Sequence, residues 1–172
     1  MKFDSSIVQA TWQGPLGPMI VAATDKGLAG VWFEGQRHMP DHAAWQVNGR
    51  HPVLVKAIAQ LEDYFAGRRS HFDLPLDLQG GTAFQQSVWQ ALLNIPAGAT
   101  TSYGELGTRI GKPAAVRAVG AAVGRNPVSV VVPCHRVIGR DGSLTGYAGG
   151  LDRKTALLRL EKALDKALED AH

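Results

Sequence analysis

Cys134, His135 and Arg136 stand in a row directly after Pro133. A thiol is nucleophilic only as its thiolate, and basic neighbours stabilise that form. Pro133 has no N–H and ends any backbone ladder there, so the cysteine is expected at the end of a strand. A lone cysteine is also a common inert core residue, and adjacency in sequence does not by itself bring the imidazole to the sulfur. The C-terminal segment RKTALLRLEKALDKALE adds an independent signal. As one helix at about 100° per residue it aligns Leu157, Leu160, Leu164 and Leu168, with Glu161 inside that stripe about 40° from Leu157. A carboxylate on an apolar face is costly unless paired. Paired with histidine, it gives a Cys134–His135–Glu161 arrangement in which the carboxylate orients the base that serves the thiol. The alternative is a glutamate that reaches water from the stripe edge.

The chain has 172 residues, of which 45% are hydrophobic and 19% charged, with one cysteine. That composition is globular and excludes disordered and fibrous classes. A single cysteine excludes an intramolecular disulfide and any zinc site that needs two thiolates. The expected compartment is reducing and cytoplasmic. No apolar run reaches the ~18 residues of a membrane span, and the opening MKFDSSIVQA lacks an apolar signal core. His38, Asp41, His42 and His51 have no tight ligand spacing, so they read as solvated surface residues and no metal is expected. GYAGG at 146–150 allows close backbone approach to a ligand but is a weak signal, and no cofactor motif is recognisable.

The net charge is +3, and its excess is local. Between residues 101 and 150, Arg109, Lys112, Arg117, Arg125, Arg136 and Arg140 face only Glu105 and Asp141. Such a field attracts a phosphate backbone or another anion; a basic surface without purpose is the alternative.

The elements that must position these residues fall into two textures. SSIVQATW, PMIVAAT and LAGVWFE read as a β-meander separated by turn sequences. Val53 to Ala66 read as a helix closed by Gly67, and Phe72, Leu74, Leu76 and Leu78 as a half-buried edge strand. Gln79-Gly80-Gly81 marks a boundary between an N-terminal α/β domain (1–80) and a C-terminal helical domain (81–172). The fold class is therefore α+β. Thr82/Gln85 and Ser102/Glu105 are capping-box signals for two helices. After the Gly111-Lys112 turn, Pro113 fits the first position of a third helix, which runs to about Val123. Two short helices around a glycine turn in the basic segment read as a helix-turn-helix, winged-helix-like unit, with an ordinary helical hairpin as the alternative. VSVVV at 128–132 reads as a buried strand leading to Cys134.

The helix PAAVRAVGAAVG is rich in Ala114, Ala115, Ala118, Gly120, Ala121 and Ala122, and Arg117 is its only long polar residue. Sequence-specific readout needs several side chains that reach base edges. This helix is suited instead to close approach with little sequence preference, or to tight packing on another helix.

VVVPCHRVIGRDGSLTGYAGG resembles the active-site segment of the O6-alkylguanine–DNA alkyltransferases, the methylated-DNA–protein-cysteine methyltransferases. The resemblance continues through FQQSVWQALLNIPAG, TSYGELG, AAVRAVGAAVGRNP and the closing LLRLE, with YFAG at 64–67 a less diagnostic match. It implies direct-reversal DNA repair by a stand-alone bacterial-type protein. The alkyl group of O6-alkylguanine, or of O4-alkylthymine, passes irreversibly to Cys134 after base flipping. His135 resembles the base that acts on the thiol through a water, Glu161 the carboxylate that orients it, and Asn126 the hinge asparagine. Arg117 resembles the finger that enters the base stack, and Tyr103 the tyrosine that helps rotate the base and faces its ring. Val137 and Ala148 resemble backbone positions that contact the flipped guanine; some members carry serine where Ala148 stands. The small positions Ala115, Ala118 and Gly120 would lie against DNA. The resemblance implies a monomer, double-stranded DNA as partner, no cofactor and no membrane. The N-terminal cysteines that bind structural zinc in some members are missing here. Cys134 itself argues against the alkyltransferase-like proteins, which lack the nucleophile. A turnover cysteine hydrolase and a non-catalytic DNA-binding module are the competing classes.

Overall fold

Three apolar strands open the chain: β1 (Val8–Gly14), β2 (Gly17–Thr24) and β3 (Gly27–Phe33). They form the expected meander, with antiparallel pairing and a bulge at Ala22/Ala23. The short β4 (Gln46–Val47) adds parallel to β1, so the sheet order is β3-β2-β1-β4. Helix α1 (Pro52–Phe65) packs on β1, β2 and β3 with Leu54, Ala57, Leu61 and Tyr64 buried. A separate cluster of Ile7, Ile20, Ala22, Ala29 and Trp32 is covered by Phe3, Met39 and Trp45. Every residue of β3 is buried, which is why it reads as a continuous apolar run rather than an alternating one. Gly30 is obligatory in that strand, because a Cβ there would lie 1.9 Å from the Trp32 ring.

The computed structural model describes residues 1–163. Residues Met1–Gly81 and Pro127–Val131 form one compact unit; Thr82–Asn126 and the chain from Val132 onward form a second. The second unit contains α2 (Ala83–Leu92), β5 (Thr101–Ser102), α3 (Tyr103–Arg109), α4 (Val116–Gly124), β6 (Val137–Ile138) and α5 (Leu151–Leu160). Strands β5 and β6 pair in parallel. Thr82 and Gln85 make the full reciprocal capping box of α2. Ser102 caps α3 through the Glu105 N–H, while the Glu105 carboxylate turns to Thr101 Oγ1. Helices α2, α3 and α4 pack on one another, and the buried Trp89 indole donates to the Ala122 carbonyl at 2.8 Å. The α3–α4 turn uses Gly111 at φ 74°. The whole is α+β, as the residue patterns indicate.

Four elements depart from expectation. Residues 72–78 are not a strand: only Leu76 bridges to Leu28, with Leu28 N–H donating to Pro75 O and Asp77 N–H to Leu28 O. Pro75 has no N–H with which to extend that ladder. Residues 128–132 are not a strand either. Val128 makes one parallel bridge to Val31, then the chain turns through Val130 at φ 72°. The run is apolar because it is buried, not because it is extended. Helix α4 begins at Val116, and Pro113 lies in the preceding turn, outside the helix. Finally, α5 ends at Leu160, Glu161 is its C-cap, and Lys162 takes φ 62°. The single long C-terminal helix is therefore broken just where Glu161 sits; Leu164 and Leu168 of the expected stripe lie outside the described residues.

Candidate active site

Cys134, His135 and Arg136 form one turn of 3-10 helix. At about three residues per turn, successive side chains leave the axis roughly 120° apart. Neighbours in sequence therefore take different partners. All three are buried.

His135 and Arg136 both reach Glu161. His135 Nε2 lies 2.8 Å from Glu161 Oε2. Arg136 forks onto the same carboxylate, Nε to Oε1 at 2.9 Å and Nη2 to Oε2 at 2.8 Å, and Nη1 donates to the Ile95 carbonyl. The Glu161 side chain is only 2% exposed. Burial alone would raise its pKa, but the hydrogen bonds and charges of Arg136 and His135 outweigh that and hold it at about 2. Burial pushes His135 below its ordinary 6.5 despite the pull of Glu161, so the imidazole is neutral at neutral pH. An ionised carboxylate can only accept, so Nε2 carries the proton and the lone pair sits on Nδ1. Nδ1 is buried and has no hydrogen-bond partner among the described residues. A neutral imidazole with a free lone pair is ready to take a proton.

Cys134 is 6% exposed. Burial raises its pKa; a hydrogen bond from Asn126 and the charge of Lys154 oppose that rise. The resting group is a thiol that needs a base. Asn126 is buried, and its Nδ2 also donates to the Val132 carbonyl at 2.8 Å. One side chain thus ties the end of α4 to the residues just before the cysteine.

The cation that favours the thiolate is Lys154, not the adjacent Arg136, whose charge is taken up by Glu161. This corrects the reading of the two basic neighbours as the stabilising pair. Lys154 has no solvent exposure. Its Nζ donates to Val137 O at 2.6 Å and Thr145 O at 3.0 Å, and burial lowers its pKa to about 8. Sequence reasoning passed over it, although a signal was present. Lys154 precedes Leu157 and Leu158 by three and four residues, which places it on the buried face of α5.

The expected DNA-contacting residues are all in this second unit. Arg117 and Ala118 are exposed on α4, Ala115 is its half-buried N-cap residue, and Gly120 is half-buried. Tyr103 opens α3, and its hydroxyl lies 2.9 Å from Thr145 Oγ1. Val137 is buried on β6, and Ala148 is half-buried in the loop before α5. Arg109, Lys112, Arg125 and Arg140 are exposed as well, whereas Arg136 is internal. Two histidines read as solvated have defined roles in the first unit: His42 Nδ1 bonds Gln9 Oε1 at 2.7 Å, and His51 Nδ1 accepts from Val53 N–H at the start of α1. No cluster of three metal-ligating side chains occurs among the described residues, and no described helix is long and apolar enough to cross a membrane.

Family models match nearly the whole described chain. The 6-O-methylguanine DNA methyltransferase DNA binding domain matches residues 83–163, and the ribonuclease-like domain of the same family matches residues 7–78. The methylated-DNA–protein-cysteine methyltransferase of Mycobacterium leprae is 50% identical over 149 residues, covering 86% of this chain and 88% of that protein. The Methanosarcina barkeri protein of the same name is 48% identical, covering 87% and 94%. Among solved structures, Mycobacterium tuberculosis OGT in complex with DNA superposes with a TM-score of 0.84 at 47% identity, covering 93% of this chain and 96% of that one. With family models spanning more than half its length and relatives near half identity, the chain belongs to the O6-methylguanine–DNA methyltransferase family, the methylated-DNA–protein-cysteine methyltransferases.

Proposed function

We propose that this methylated-DNA–protein-cysteine methyltransferase removes the alkyl group from O6-alkylguanine in double-stranded DNA by a single irreversible transfer to Cys134. The observation that carries the proposal is the buried thiol beside a neutral His135, whose free Nδ1 is set by the Glu161–Arg136 pair. Residues 81–172 carry the chemistry and the DNA contacts. The alkylated oxygen lies inside the duplex, so the nucleotide has to be flipped out, at a cost of a few kcal/mol. Arg117, exposed on α4, takes the place of the flipped base in the stack. The small face formed by Ala115, Ala118 and Gly120 lets the helix backbone approach the groove with little sequence preference.

The thiol proton passes through a bridging water to His135 Nδ1, and Glu161 stabilises the imidazolium that forms. Lys154 and Asn126 stabilise the thiolate. The sulfur attacks the alkyl carbon in line, a C–S bond forms, and the C–O6 bond breaks with its electron pair moving to the guanine. Tyr103 donates a hydrogen bond to the ring as that charge develops, while backbone groups of Val137 and Ala148 hold the base. Guanine then recovers a proton, so the thiol proton is balanced. The product is a thioether with a poor leaving group, which is why one molecule serves one lesion. The protein acts as a cytoplasmic monomer without a cofactor, and O4-alkylthymine is a secondary substrate.

Cys134→Ser tests the assignment. Transfer is abolished while duplex affinity stays within about twofold, because phosphate contacts come from other residues. Repair at the original rate by this variant contradicts the proposal.

A further inference from the structure

We propose that Thr145 is a positioning residue for the transfer: its hydroxyl sets the orientation in which the Tyr103 phenol donates to the departing guanine. The proposal rests on the reading of Tyr103 given above and extends it to a residue outside the PCHR segment. Tyr103 Oη and Thr145 Oγ1 are 2.9 Å apart, joining the first residue of α3 to the loop between β6 and α5.

Thr145 is itself fixed from behind. Its carbonyl accepts from Lys154 Nζ at 3.0 Å, and the same ammonium holds the Val137 carbonyl at 2.6 Å. Lys154 is fully buried, so that anchor is shielded from water. The Tyr103 ring faces α4 at Gly120: a Cβ built there would lie 3.7 Å from Tyr103 Cδ1, so about one methyl group of space separates the ring edge from the helix. The hydrogen bond to Thr145 at its tip is therefore the contact that sets the phenol's direction.

Each hydroxyl has one donor hydrogen and two acceptor lone pairs. If Thr145 donates to the phenol oxygen, the phenol hydrogen is released toward the substrate. Donating while accepting also makes the phenol a stronger donor. The step stays balanced: the Cys134 thiol proton goes to His135, the sulfur pair forms the C–S bond, and the C–O6 pair goes to guanine. Tyr103 steadies that charge and keeps its own proton.

The experiment is a double-mutant cycle on the full chain, read as the single-turnover rate of methyl transfer from O6-methylguanine duplex at saturating protein. Duplex affinity and melting temperature are measured in parallel. Thr145→Val removes the hydroxyl at nearly constant shape and slows transfer about fivefold, the scale of one hydrogen bond, with affinity unchanged. Thr145→Ser restores the rate. Tyr103→Phe slows transfer by a similar or larger factor, and adding Thr145→Val to it slows transfer no further. If Thr145→Val transfers at the unsubstituted rate, or slows transfer equally in the Tyr103→Phe background, the positioning role is overturned while the reading of Tyr103 stands. If Tyr103→Phe itself transfers at the unsubstituted rate, the donor role of Tyr103 fails, and this inference fails with it.

Discussion

Glu161 shows how one carboxylate governs a site through two partners. Arg136 neutralises it and His135 reads it, so the histidine tautomer follows from an ion pair rather than from anything next to the sulfur. This has a pH signature. The folded protein holds Glu161 ionised down to about 2, against 4.5 for the free group, so its stabilising contribution is complete above 4.5 and is lost as pH falls toward 2. His135 sits below its ordinary 6.5 when folded, so the unfolded chain takes up its proton first as pH drops through 6.5. Both groups favour unfolding in acid, and the Glu161 part is on the order of 3 kcal/mol. Thermal melts between about pH 7 and pH 3 are expected to fall more steeply below 4.5 for the natural chain than for Glu161→Gln. Parallel curves would show that the pairing contributes nothing. The pairing of His135 with Glu161 was legible in the sequence. The arrangement around Cys134 was not, because a 3-10 turn separates the directions of adjacent side chains and leaves the thiolate's cation to Lys154, twenty residues on.

At the scale of elements, periodicity identified the three-strand meander and α1, and capping residues located α2 and α3. It failed where burial does not imply regular structure. Val128 to Val132 look like a strand, yet Val130 adopts φ 72°, a conformation that costs a β-branched residue roughly 1–3 kcal/mol. The chain after that turn, where Asn126 Nδ2 holds the Val132 carbonyl, leads to Cys134. Strain beside a reactive residue is where local propensity is expected to mislead. The end of helix α4 was read correctly, though not its start. Val119, Ala122 and Val123 are buried, leaving Arg117, Ala118 and Ala121 exposed. If Arg117 supports base extrusion, Arg117→Ala slows repair of duplex DNA by at least tenfold more than reaction with free O6-alkylguanine base, which needs no flipping. Comparing the two second-order rate constants decides this; equal losses would mean that Arg117 acts on the site itself.

For the whole molecule, the small net charge of +3 conceals a division. The second unit carries exposed Arg109, Lys112, Arg117, Arg125 and Arg140, while its buried Arg136 is spent on Glu161. Binding driven by phosphate contacts loses affinity with salt at about 0.9 per contact on a log–log plot. Arg125, exposed as the C-cap of α4, is placed for one such contact. Arg125→Ala is expected to weaken duplex binding equally across unrelated sequences and to reduce that slope by about one. An unchanged slope would remove Arg125 from the interface.

The central claim is that Cys134 is the final acceptor of the alkyl group. The most direct measurement is the intact mass of the protein after incubation with limiting and then excess O6-methylguanine duplex, with the modified peptide sequenced. The account predicts a gain of one CH2 per molecule, confined to Cys134, with repair stopping once every molecule is modified. Continued repair at limiting protein, or a methyl group on any other residue, would contradict it.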